Sequence, residues 1–215
     1  MKFIKIILCI SLFFSFSCIK DYSGLKKESK ALRYLAEAYM SQGDFNNALR
    51  ELKKAERLFS EDPYLQNNLG IAYIAKGKPD LAAIHLKKAL ALKKDYPAAR
   101  NSLGTAYMEQ KQWDKAIECF NKTLDNILYA TPHYPLSNLG WVYYNLGKYT
   151  KSIDYYKKAL DIVPEFTIAQ RGLARTYLDM GEINQAISIL EKTIKKAPRF
   201  AEAHMDLARA YRLNN

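Results

Sequence analysis

The sequence predicts an all-α protein, a solenoid of five helix pairs closed by a single last helix. Three observations predict it. Leu35, Leu69, Leu103, Leu139, Leu173 and Leu207 recur at steps of 34, 34, 36, 34 and 34 residues, the mark of stacked structural repeats. Four places after each leucine stands a tyrosine (Tyr39, Tyr73, Tyr107, Tyr143, Tyr177, Tyr211), and residues four apart share one helix face. Small residues then recur where a second helix must approach closely: Ala48, Ala82, Ala116, Ser152 and Ala186, followed by Ala55, Ala89, Thr123, Ala159 and Thr193.

In chain order, residues 1–17 come first. Lys2 and Lys5 precede an apolar run, Ile6 to Phe14, broken only by Cys9 and Ser11; Ser15 and Ser17 then flank Phe16. A positive start, a short apolar core and small residues at its end describe a secretory signal. The run is shorter than the roughly 20 apolar residues of a spanning helix. The ending Ser-Phe-Ser-Cys resembles the lipobox of bacterial lipoproteins, which implies that Cys18 becomes the acylated first residue of the mature chain. It departs from the usual pattern, Leu then Ala or Ser, by having Ser15 and Phe16; an ordinary signal peptide with a chance cysteine is the alternative. Ile19 in place of Asp implies the outer membrane, facing the periplasm, over retention in the inner one. Residues 18–28 would be the lipidated N-terminus and tether.

The repeats are expected at 29–62, 63–96, 97–132, 133–166 and 167–200, with a capping helix in 201–215. Gly43, Gly77, Gly147 and Gly181 fall where a left-handed residue ends each first helix; Lys111 holds that place in repeat three. Pro63 and Pro97 open first helices, where a missing N–H costs nothing, while Pro164 and Pro198 close second ones. The 36-residue step falls at "DNILYATPHYPLSNLG", where Pro132 and Pro135 bracket His133 and Tyr134 and stiffen the approach to repeat four.

Stretches such as "NLGIAYIAKGKPDLAAIHLKKAL" and "NLGWVYYNLGKYTKSIDYYKKAL" resemble the tetratricopeptide repeat (TPR) family, from Ser29 to the end of the chain. The resemblance implies a right-handed α-α superhelix that binds protein or extended peptide on the concave face of its first helices. In that family, residues one and two before the leucine and two after it face the groove. Applied here, the rule gives Asn67, Asn68 and Ile71; Asn101, Ser102 and Thr105; Ser137, Asn138 and Trp141; and Arg171, Gly172 and Arg175. Tyr64, Ile74, Met108, Tyr134 and Tyr144 share those faces by helical spacing. Amides at Asn68 and Asn138 can donate to and accept from a peptide backbone, and Trp141, Tyr134 and Tyr144 have the composition of binding hot spots. Packing against neighbouring helices is the alternative role for these aromatics.

The "Y-x-x-P…NLG" approach to repeat four, with the lipobox and about six repeats, resembles the pilotins of type IV pilus secretins. That resemblance implies a lipid-anchored adaptor that helps secretin subunits assemble in the outer membrane. A scaffold for envelope enzymes such as peptidoglycan hydrolases shares most of these features, and a hydrolase or carbohydrate-binding module is a more remote alternative.

Composition narrows the classes. The net charge is +11, or +9 without Lys2 and Lys5, and its basic residues are spread along helix patterns such as "LKKAL", as on a solvated face. With the export signal, this argues against nucleic acid. Once Cys9 and Cys18 are accounted for, only Cys119 remains, so it is expected to pack as a small apolar residue. His85, His133 and His204 are scattered, and no nucleophile, phosphate loop or metal spacing is visible; no catalytic residue, cofactor or metal is expected.

Overall fold

The computed structural model describes residues 22–214. The expected signal peptide and Cys18 lie outside the described residues. Eleven helices follow one another without a strand among the described residues: α1 (Tyr22–Ser41), α2 (Phe45–Leu58), α3 (Pro63–Ala75), α4 (Pro79–Leu92), α5 (Pro97–Glu109), α6 (Trp113–Leu124), α7 (His133–Asn145), α8 (Tyr149–Ile162), α9 (Thr167–Asp179), α10 (Ile183–Lys196) and α11 (Ala201–Asn214). Residues 22–28, which the sequence assigns to a tether, are instead the opening turns of α1. Tyr22 packs edge-on against the Phe59 ring at 6.2 Å and Lys26 lies over the same ring, which draws the chain into helix before the repeat pattern begins.

The sequence punctuates these helices by local chemistry. Pro63, Pro79 and Pro97 open α3, α4 and α5. Gly43, Gly77, Gly147 and Gly181 have φ of 76°, 64°, 69° and 80°, and Lys111 takes the same conformation at 58° without glycine's freedom. Lys111→Gly should therefore raise the unfolding free energy by about 0.5–1 kcal/mol, read as a higher urea midpoint with an unchanged slope.

Packing is pairwise and sequential. Each first helix (α1, α3, α5, α7, α9) packs on its own second helix and also touches the next first helix, whereas no second helix approaches the next second helix within 8 Å between Cα atoms. The stack therefore curves with its first helices inside. Close approach within a pair depends on the residue after the leucine: a Cβ at Gly70 would lie 2.4 Å from Leu86 Cγ, and one at Gly104 2.6 Å from Phe120 Cε1. Threonine replaces the second-helix alanine in repeats three and five because its hydroxyl is satisfied in place. Thr123 Oγ1 donates to the Cys119 carbonyl at 2.9 Å and Thr193 Oγ1 to the Ile189 carbonyl at 2.8 Å.

His85 of α4 is half-buried, its Nδ1 2.8 Å from Gln66 Oε1 and its ring stacked on Tyr73. Burial pushes its pKa below 6.5, with Glu56 opposing and Lys53 and Lys88 assisting. A lowered folded value means that the unfolded chain binds the proton more tightly, so stability should fall as pH drops below 6.5. His85→Gln should flatten that loss, read as the change in melting temperature between about pH 7.5 and 5.5, above the range where carboxylates titrate.

Candidate binding groove

The inner face is built from one stripe of each first helix. Tyr64, Tyr134 and Ile168 are exposed at the second residues of α3, α7 and α9 and form one rim. Beneath it lies a polar floor. Asn67 and Ser137, expected on the groove surface, are only 5% and 4% exposed, because neighbouring first helices close over them. Asn68 is buried as well and is already engaged, its Nδ2 donating to Glu37 Oε1 at 2.7 Å. Asn138 Nδ2 reaches Thr105 Oγ1 at 3.4 Å; Thr105 and Ser102 also donate to carbonyls of their own helix. The side-chain oxygens of Asn67 and Asn101 are buried without a hydrogen-bond partner, two unanswered acceptors at the same place in successive repeats.

The C-terminal half holds the aromatic and charged groups. Trp141 stacks on Tyr144 with centroids 5.5 Å apart, and the Arg175 guanidinium lies 5.2 Å from one ring and 5.3 Å from the other. The Tyr144 hydroxyl donates to Asp179 Oδ2 at 2.5 Å, and Arg209 donates to Asp179 Oδ1 at 2.9 Å, so this ledge runs continuously across α7, α9 and α11. Burial, and then the bond to Asp179, raises the pKa of Tyr144, so the phenol stays protonated and donating. Arg171 is held by Asp206 at 2.6 Å. Ile71 and Ile74 are partly exposed, while Met108 packs onto the cluster around Phe120 and Leu139. Gly172 is partly exposed, and its lack of a side chain has a packing reason. A Cβ there would lie 2.3 Å from Tyr156 Cζ, so the position makes room for the preceding second helix.

At the other end, Arg33 is buried between Glu37 (2.5 Å) and Asp62 (3.1 Å). Burial works against its charge, but the two carboxylates win and its pKa is raised. The same rule extended to Leu35 and Leu207, beyond repeats two to five, gives Arg33 and Glu37, and Met205, Asp206 and Arg209. Asp179, six places past Leu173, had no such signal.

The groove offers recognition chemistry: paired amides and hydroxyls, a stacked aromatic ledge and fixed guanidiniums. Cys119 is half-buried with its thiol pushed up to about 11 by burial, as suits a packing residue. Among the described residues no group of three or more metal-ligating side chains converges, and no helix is long and apolar enough to cross a membrane.

Tetratricopeptide-repeat family models match residues 34–97, 95–165 and 144–210. Among solved structures, the chain is similar to PilW, a widely conserved type IV pilus biogenesis factor (22% identity, 86% of this chain and 90% of that one, TM-score 0.73). It is also similar to Pseudomonas aeruginosa PilF (19%, 87% and 90%, TM-score 0.69) and to a thermophilic TPR protein of Thermus thermophilus (20%, 85% and 98%, TM-score 0.75). At these identities the likeness is one of fold. No curated protein matches the chain significantly by sequence. Repeat spacing, pairwise packing and family models agree, and the chain belongs to the tetratricopeptide-repeat family.

Proposed function

We propose that this protein is a lipid-anchored adaptor of the pilotin type, which holds secretin subunits in the periplasm and helps them assemble in the outer membrane. The observation that carries the reading is the ledge of Trp141, Tyr144 and Arg175 on the inner face of a stack that resembles PilW and PilF along most of both chains. Stacked aromatics backed by a fixed guanidinium are the usual anchors of a protein interface. Acyl chains on Cys18 would hold the solenoid at the membrane and raise the local concentration of the partner. The reaction is binding alone; no catalytic residue or cofactor enters it.

Calorimetry with the soluble periplasmic part of the secretin from the same cell tests it. Wild type should bind, and Trp141→Ala with Arg175→Ala should weaken binding about tenfold or more while leaving the melting temperature close to that of wild type. If wild type shows no binding, the scaffold for envelope enzymes takes its place.

A further inference from the structure

Among the described residues, the outward face of α1 has no neighbour at the start of the stack. Leu35 is 45% exposed there, whereas its repeat equivalents Leu69 and Leu139 are fully buried. Around the same face stand Lys27, Lys30, Ala31, Tyr34 and Ala38, all exposed, with Lys26 at its edge. Lys26 and Lys30 lie over the rings of Phe59 and Tyr34 at 5.3 and 5.6 Å, and neither ammonium group forms an ion pair with a carboxylate among the described residues. Of the nearby acids, Glu37 and Asp62 are occupied by Arg33, and Glu61 lines the same cleft as Lys26 and Lys30 without an ion pair to either. Glu28, exposed on the other edge of the helix, does not offset three lysines.

We propose that this face of α1 docks on an anionic phospholipid surface, with Lys26, Lys27 and Lys30 among the phosphates and Tyr34 and Leu35 at the acyl boundary. The proposal rests on the anchored reading above, and chain length supports it. Four residue steps separate Cys18 from Tyr22, a reach of at most about 14 Å, so an acylated Cys18 brings the start of α1 against the bilayer. A helix with lysines beside one aromatic and aliphatic stripe is the composition that lies in an interface. Docking would fix the first repeat at the membrane and orient the rest of the groove relative to it.

Flotation of the mature chain carrying Cys18→Ser, with vesicles of phosphatidylethanolamine and phosphatidylglycerol at about 3:1, tests docking apart from acylation. The protein should float with these vesicles, stay behind with phosphatidylcholine alone, and be released as salt shortens the screening length. Each lysine near such a surface is worth about fivefold, so Lys26→Gln, Lys27→Gln and Lys30→Gln together should reduce partitioning about 100-fold. Lys151→Gln, Lys157→Gln and Lys158→Gln on the exposed side of α8 should leave it unchanged. No binding to anionic vesicles, or an equal loss in the α8 triple variant, overturns the proposal. Incorporation of labelled palmitate at Cys18 reports separately on the anchor.

Discussion

Phe120→Ala should lower the unfolding free energy by about 3–5 kcal/mol. Phe120 is fully buried in α6 and packs with Ala116, Leu139 and Val142, so one ring joins repeat three to repeat four across the two-residue insertion. Gly104 leaves no methyl group to move into the space, and truncation creates a cavity lined by side chains that other contacts hold in place. Because stability in a repeat array is a sum over neighbouring interfaces, the loss should also loosen the coupling between the two halves. Urea unfolding followed by far-ultraviolet circular dichroism should show an earlier and broader transition; a shift below about 1 kcal/mol would mean that this interface does not carry the stack.

Gly172→Ala should cost about 1–3 kcal/mol, and Tyr156→Leu should remove most of that cost. The Tyr156 ring is wedged between two glycines: a Cβ at Gly140 would lie 2.8 Å from its Cδ1, and one at Gly172 2.3 Å from its Cζ. The equivalent second-helix residues Leu52, Leu86 and Leu190 are shorter, so leucine at 156 would withdraw from Gly172 and leave space for a methyl group. A double-mutant cycle by urea unfolding measures the coupling. Additive costs would show that the ring yields without strain.

What the sequence revealed follows from which constraints are local. The 34-residue period, the left-handed glycines and the small residues of each second helix were legible, because each answers to one steric demand of a helix pair. The groove was legible only as a face. The rule that places Asn67 and Ser137 on the inner stripe says nothing of depth, and adjacent first helices bury both. Gly172 obeys the same rule, yet Tyr156 of the preceding second helix had already claimed its space. Pairings such as Asn68 with Glu37, or Tyr144 with Asp179 and Arg209, join residues about one repeat apart and depend on superhelical register. The helical start at Tyr22 depends on Phe59, which no periodicity in residues 22–28 announces.

Escort of secretin subunits from a lipid anchor is the function proposed for this solenoid. An immunoblot for heat-resistant secretin multimers in wild-type, deletion, Cys18→Ala and Trp141→Ala/Arg175→Ala strains tests it most directly. Multimers should vanish in the deletion, be reduced or mislocalised with Cys18→Ala, and fall with the groove variant. Normal multimers in the deletion strain would contradict it.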